Sequence, residues 1–214
     1  YAEADPTFDV GGADAAQKLT ILGNIAFDAA VEYGTFPVTG IEAITSQDIM
    51  GAGKLGYRIK LMAVAIKSDA GAELRVHPAL VDAQHSLAKA DGAENYVMVD
   101  CDPLGRLAFS GPGAGKGATA AAVVADLVTI ARGPGGPVFN AAASRLAELQ
   151  LLAPERQPSR FYIRLNLRDV PGAIAGVSET LAGHDISIDS LYQPAVSSSG
   201  GDGGAMVVLA THET

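Results

Sequence analysis

Tyr57-Arg58-Ile59-Lys60-Leu61-Met62-Ala63-Val64-Ala65-Ile66-Lys67 runs to Asp69-Ala70-Gly71, and Glu73-Leu74-Arg75-Val76-His77-Pro78 leaves that turn. Alternation on both sides of a glycine-bearing turn predicts a β-hairpin. Downstream, Asn95-Tyr96-Val97-Met98-Val99-Asp100 and Gly105-Arg106-Leu107-Ala108-Phe109-Ser110 predict another strand pair. Helices are expected around these hairpins. One runs from about Asp14, a good N-cap, to Tyr33, with Leu19, Leu22, Ile25, Ala26 and Ala29 at helical spacing and Gly34 as its stop. A short one is expected over 78–90. An Ala/Val-rich one is expected from about Ala118 to Arg132, behind a glycine loop at 111–117. Hairpins mixed with helices point to an α+β fold, a mixed or antiparallel sheet with helices on one face, and not to a parallel doubly wound sheet.

Beyond the break at Gly133-Pro134-Gly135-Gly136-Pro137 a polar connector leads to a second unit. Phe161 to Leu167 alternates as a strand, Asp169-Val170-Pro171-Gly172 turns the chain, and Ala173 to Gly183 is amphipathic. Ile186 to Leu191 and Ala205 to Ala210 are two more strands, separated by a Ser/Gly loop. The order β-α-β-β is most of a ferredoxin-like βαββαβ motif, with its last helix and strand missing. The expected division is therefore 1–135, a connector over 136–159, and a truncated unit over 160–214.

Composition narrows the function classes. The 214 residues carry a net charge of −9 without a basic cluster, which argues against nucleic-acid binding and against an anionic membrane surface. No apolar run approaches the roughly 18 residues of a membrane span. Cys101 is the sole cysteine, so no internal disulfide can form and a cytoplasmic setting is expected. His77, His85, His184 and His212 are scattered, and no metal site is expected from them. The chain opens at Tyr1 without a Met and closes at Thr214 just after a strand, which reads as cuts through a longer protein.

Two constellations carry chemistry. Asp14 and Lys18 stand four residues apart on the first helix and project from one face, and Glu3 lies on the loop before it. Carboxylates beside an ammonium suit a small zwitterionic substrate, and such a lysine can exchange a proton with a substrate oxygen. The same pair can also be an ordinary exposed contact worth a few tenths of a kcal/mol. The second constellation is the glycine loop. It fails as a phosphate-binding P-loop, because Ser110 stands at the first-glycine position and Gly117 follows Lys116. It does satisfy G-x-G-x-x-A between a strand and a helix. Without a following strand or an acid about 20 residues on, a dinucleotide fingerprint is not supported. A tight strand-to-helix turn explains it equally well.

Three blocks carry a family resemblance. Tyr1-Ala2-Glu3-Ala4-Asp5-Pro6 running into Gly12-Ala13-Asp14-Ala15-Ala16-Gln17-Lys18, then Leu55-Gly56-Tyr57-Arg58-Ile59-Lys60-Leu61, then Gly111-Pro112-Gly113-Ala114-Gly115 with Ala118-Thr119-Ala120, together resemble the homoserine dehydrogenase family. The resemblance implies NADPH- or NADH-dependent interconversion of aspartate semialdehyde and homoserine. It makes Lys18 the proton donor and has Asp14 help to hold the substrate and orient Lys18. It gives Glu3 the substrate amino group and places Tyr1 in the substrate site. It sets Gly113, Ala114 and Gly115 against the nicotinamide cofactor, with bare backbone N–H groups facing it. The family's nucleotide-binding domain is not in this sequence, so the chain alone is expected to be inactive.

The second unit resembles an ACT domain, a small amino-acid-sensing module. Asp169 and Gly172 are its candidate contacts, and threonine is the effector that family habit suggests. A homodimer is expected, since such strands pair side by side. The competing reading is a non-catalytic module that binds an amino acid and dimerises. The set Glu3, Asp14 and Lys18 favours the enzyme, and the missing nucleotide domain favours the module.

Overall fold

The computed structural model describes residues 6–133, 135–136, 142, 145–153, 158–194 and 204–214. The expected α+β class holds: helices and small, mostly antiparallel sheets make up the fold. Two compact groups of residues emerge, and neither is contiguous in sequence. The first takes in the described residues up to Ile41, then Leu61–Pro78 and Gln84–Leu152. The second takes in Glu42–Lys60, Ala79–Ala83 and Ala153–Thr214. This grouping differs from the expected cuts at 135 and 159, because 42–60 and 79–83 associate with the C-terminal part and 145–152 with the N-terminal part.

In the first unit, α1 (Thr7–Val10) leads through Gly11 and Gly12 into α2 (Ala13–Phe27). Gly12 is the N-cap at φ +83°, in the left-handed region, and a Cβ there would stand 3.1 Å from Val38 Cγ1 and 3.3 Å from Val76 Cγ1. Both conformation and space require glycine here. Asp14 is therefore not the N-cap; it lies within the first turn. The helix also stops well before Tyr33. Asp28 turns left-handed, and the buried Asn24 carboxamide clamps Val31, donating to its carbonyl at 3.0 Å and accepting from its N–H at 2.9 Å. That clamp releases Ala29–Ala30 as β1, which pairs in parallel with β6 (Ala147–Glu148).

The hairpin that decides the fold class is present as β2 (Tyr57–Ser68) and β3 (Gly71–Asp82). Its second strand outlasts Pro78, so the helix expected over 78–90 reduces to a 3₁₀ turn at Ser86–Lys89. Ala72, Leu74 and Val76 on one face of β3 pack with Ala16, Leu19, Val31 and Phe36 to form the core. The next hairpin, β4 (Glu94–Cys101) with β5 (Gly105–Pro112), pairs over its full length. It leads into α4 (Lys116–Ala131), close to the expected bounds.

The second unit contains β7 (Tyr162–Arg168), α5 (Ala173–Ala182), β8 (Ile188–Tyr192) and β9 (Gly204–Thr211), paired antiparallel in the order β7-β9-β8. This is the expected β-α-β-β order. The unit also holds α3 (Ser46–Lys54), which has no counterpart in the sequence reading. Thr45 and Asp48 start α3 with a capping box, each side chain accepting from the other residue's backbone N–H. Gly51 lets α3 approach the sheet closely, since a Cβ there would meet Val208 Cγ2 at 2.9 Å. Neighbouring residues on a strand point to opposite faces. Thus Val208 and Tyr162 meet α3, while Leu209, Ile163 and Leu165 face α5.

Candidate functional site

Gly12 sets the start of α2 against β3, and the first turns of that helix carry the pair expected from sequence. Lys18 Nζ donates to Asp14 Oδ2 at 2.7 Å. The two side chains keep 52% and 38% of their exposure, so the lysine remains open to a ligand while the carboxylate fixes one of its donors. An ammonium has three N–H donors, which leaves two for other partners. Glu3 and Tyr1, the other expected substrate contacts, lie outside the described residues. No group of three or more His, Cys, Asp or Glu side chains suited to a metal occurs among the described residues. No helix there is long and apolar enough to cross a membrane.

The glycine loop is a strand-to-helix turn, from β5 into α4. Gly115 needs its glycine for conformation, at φ +110°. Ala114 and Gly115 carry N–H groups that bond nothing among the described residues, and the first turn of α4 adds N–H groups without intrahelical partners. Such donors suit the phosphates and hydroxyls of a nucleotide. Gly113 departs from the expectation. Its N–H is not bare: it donates to the Ala93 carbonyl at 2.7 Å. The free backbone donors of this turn, among the described residues, are thus those of Ala114 and Gly115.

Asp169 and Gly172 lie on the turn before α5. Gly172 caps that helix at φ +90°, with open space on the side where a Cβ would stand. Beneath the helix is a cavity of about 380 Å³ lined by Ile163, Leu165, Val177, Leu181 and Leu209 among others. Its one hydroxyl, that of Thr180, is spent on the Gly176 carbonyl at 2.8 Å. The side chains that line the cavity are otherwise apolar.

Two polar clusters escaped the sequence reading. On the face of β3 opposite Leu74 and Val76, Arg75 forms an ion pair with Glu73, which is only 1% exposed, and donates from Nε to His77 Nε2 at 2.9 Å. That leaves Nδ1 of His77 to donate to the Pro78 carbonyl at 3.0 Å. Burial lowers the Arg75 pKa. The alternation Glu73, Arg75, His77 was visible, but its burial was not. The second cluster centres on Asp48, which accepts from Tyr162 Oη at 3.0 Å and from Arg164 Nη1 at 2.6 Å. Burial pushes the Asp48 carboxyl up, yet the hydrogen bonds from Thr45 and Tyr162 and the charge of Arg164 outweigh it and hold the group below its ordinary value. Burial, then the bond to Asp48, pushes the Tyr162 phenol up.

Comparison with known proteins places these features in a family. The homoserine dehydrogenase family model matches residues 1–128. The chain is 41% identical to the homoserine dehydrogenase of Pseudomonas aeruginosa and 39% identical to that of Neisseria gonorrhoeae, over 99% and 100% of its own length and 50% of theirs. The crystal structure of a homoserine dehydrogenase from Thiobacillus denitrificans superposes with a TM-score of 0.83 at 40% identity, covering all of this chain and 49% of that one. The chain spans about half the length of the curated relatives it matches. By family model, sequence identity and fold together, it belongs to the homoserine dehydrogenase family.

Proposed function

We infer that this chain is the substrate half of an NADP- or NAD-dependent dehydrogenase that interconverts L-aspartate 4-semialdehyde and L-homoserine. The observation that carries the reading is the Asp14–Lys18 pair, 2.7 Å apart on a helix start fixed by Gly12. When bound, a nicotinamide cofactor supplies the hydride. As negative charge grows on the substrate oxygen, the Lys18 ammonium stabilises it and gives up a proton to it, forming the hydroxyl of homoserine. In the reverse direction Lys18, as the neutral amine, takes that proton back. Asp14 holds Nζ in place. Family resemblance assigns the substrate ammonium to Glu3, with Tyr1 beside it, and the cofactor to the turn at Gly113, Ala114 and Gly115.

The activity is proposed for the whole enzyme, since this chain spans about half the length of its relatives. In that enzyme, Lys18→Ala should lower kcat for homoserine oxidation by about 10²- to 10⁴-fold, the usual worth of a positioned acid or base. Turnover close to wild type removes Lys18 from the mechanism.

The order β7-β9-β8 supports a second role for the C-terminal unit, as an ACT-type module that binds a regulatory amino acid, threonine the first to test, and pairs with a second copy in a cytoplasmic homodimer. Asp169 and Gly172 are its candidate contacts. Titration calorimetry with millimolar threonine checks this, and absence of heat refutes the threonine assignment.

A further inference from the structure

Gly113 poses a question that its neighbours answer. Gly115 is glycine because its φ is +110°, but Gly113 does not have a positive φ, so its backbone would accept any residue. Nor does Gly113 serve as a free donor, since its N–H is bonded to Ala93. What glycine contributes here is room. A Cβ on Gly113 would overlap Nδ2, Cγ and Oδ1 of Asn95 together. Asn95 lies near the open end of the β4–β5 hairpin, in register with Gly111, where the chain leaves for the turn.

The carboxamide seated there is exposed and forms no hydrogen bond among the described residues. Asn24 shows what a structural carboxamide does in this same chain: it is 7% exposed and bonds Thr20, the Val31 carbonyl and the Val31 N–H. Asn95 has packing without bonding. One carbonyl acceptor and two N–H donors lie against Gly113, which Ala114 and Gly115, with N–H groups unbonded among the described residues, follow in the chain.

We propose that Asn95 is a cofactor-binding residue, its carboxamide seated over Gly113 to hydrogen-bond a hydroxyl or the carboxamide of the nicotinamide nucleotide. This rests on the reading that the glycine turn faces the cofactor. It adds a residue from another strand and gives Gly113 a role distinct from that of Ala114 and Gly115.

The test is equilibrium binding of the oxidised cofactor, by titration calorimetry, to the assembled enzyme. Asn95→Ala should raise the cofactor Kd about tenfold, the equivalent of one hydrogen bond, and leave the melting temperature and the KM for homoserine nearly unchanged. Gly113→Ala should expel the carboxamide and raise the Kd similarly. The double variant should bind no more weakly than either single one, because both remove the same contact. Wild-type Kd in Asn95→Ala, or effects that multiply in the double variant, overturn the proposal while leaving the function intact. If the wild-type assembly binds no nicotinamide nucleotide, the functional reading falls and this inference falls with it.

Discussion

Asp48 and Tyr162 are 114 residues apart in the chain, yet the tyrosine hydroxyl donates to the aspartate Oδ1 at 3.0 Å. This bond fastens α3 to β7, and Arg164 repeats the connection from the same strand two residues on. The helix that precedes the β2–β3 hairpin is thereby built into the C-terminal sheet. The same carboxylate closes the capping box of α3, so one buried group both starts the helix and docks it.

Asp48→Asn should therefore destabilise the protein at neutral pH by about 2 kcal/mol, the worth of hydrogen bonds to a buried charge. The sign of the pH dependence follows from the lowered carboxyl. Unfolded, Asp48 titrates near its ordinary value of 3.8; folded, it titrates lower. Its ionisation adds stability that is fully present above 3.8 and is lost as the pH falls through the folded value. Urea denaturation across a pH series should show the gap between wild type and Asp48→Asn closing below about pH 4. A gap that stays constant into that range would show that the asparagine acts by packing alone.

The hairpins were legible because strand-forming runs on either side of a glycine-bearing turn are a local signal, and β2, β3, β4 and β5 stand where those runs are. The unit from Phe161 onward was legible for the same reason. What could not be read depended on distant partners. The end of α2 is set by Asn24 gripping Val31 and by β1 finding β6, more than a hundred residues later. The strand past Pro78 ends at a contact between the Ala83 N–H and the Gly56 carbonyl. Helix α3 is short and weakly apolar, and its cap was the one local clue, with Asp48 in place of the usual Glu or Gln. Of the site, the Asp14–Lys18 pair followed from helical spacing, whereas the Asn95 contact with Gly113 needed the register of a hairpin.

Gly12→Ala should cost about 2 kcal/mol, from a left-handed backbone that disfavours Cβ and from crowding against Val38 and Val76. Gly53→Ala serves as the control, because it lies in α3 with open space around it and no positive φ. It should be neutral or slightly stabilising. Chemical denaturation of both variants measures the contrast, and equal effects would sink the account of Gly12.

Arg75→Leu should be among the more damaging single changes outside the apolar core. It strands the Glu73 carboxylate, 1% exposed, without its cation, at a cost of about 3 kcal/mol or more. Replacing both members with leucine should restore much of that loss, since no buried charge then remains. Thermal unfolding of the single and double variants decides. A double variant as unstable as Arg75→Leu would mean that the pair holds the strand by something other than charge compensation.

Gly176 lies in the middle of α5, lines the apolar cavity, has no positive φ and has nothing within 4 Å of where a Cβ would stand. None of the reasons that require glycine applies to it. Gly176→Ala should therefore stabilise the protein by about 0.5–1 kcal/mol through helix propensity and the loss of freedom in the unfolded chain. The added methyl group also narrows a cavity that has no free polar group. If a regulatory amino acid is recognised at the turn through Asp169 and Gly172, its calorimetric binding should survive Gly176→Ala and be lost in Asp169→Asn. Loss of binding in Gly176→Ala would instead place the effector inside the cavity, gripped by its aliphatic part alone.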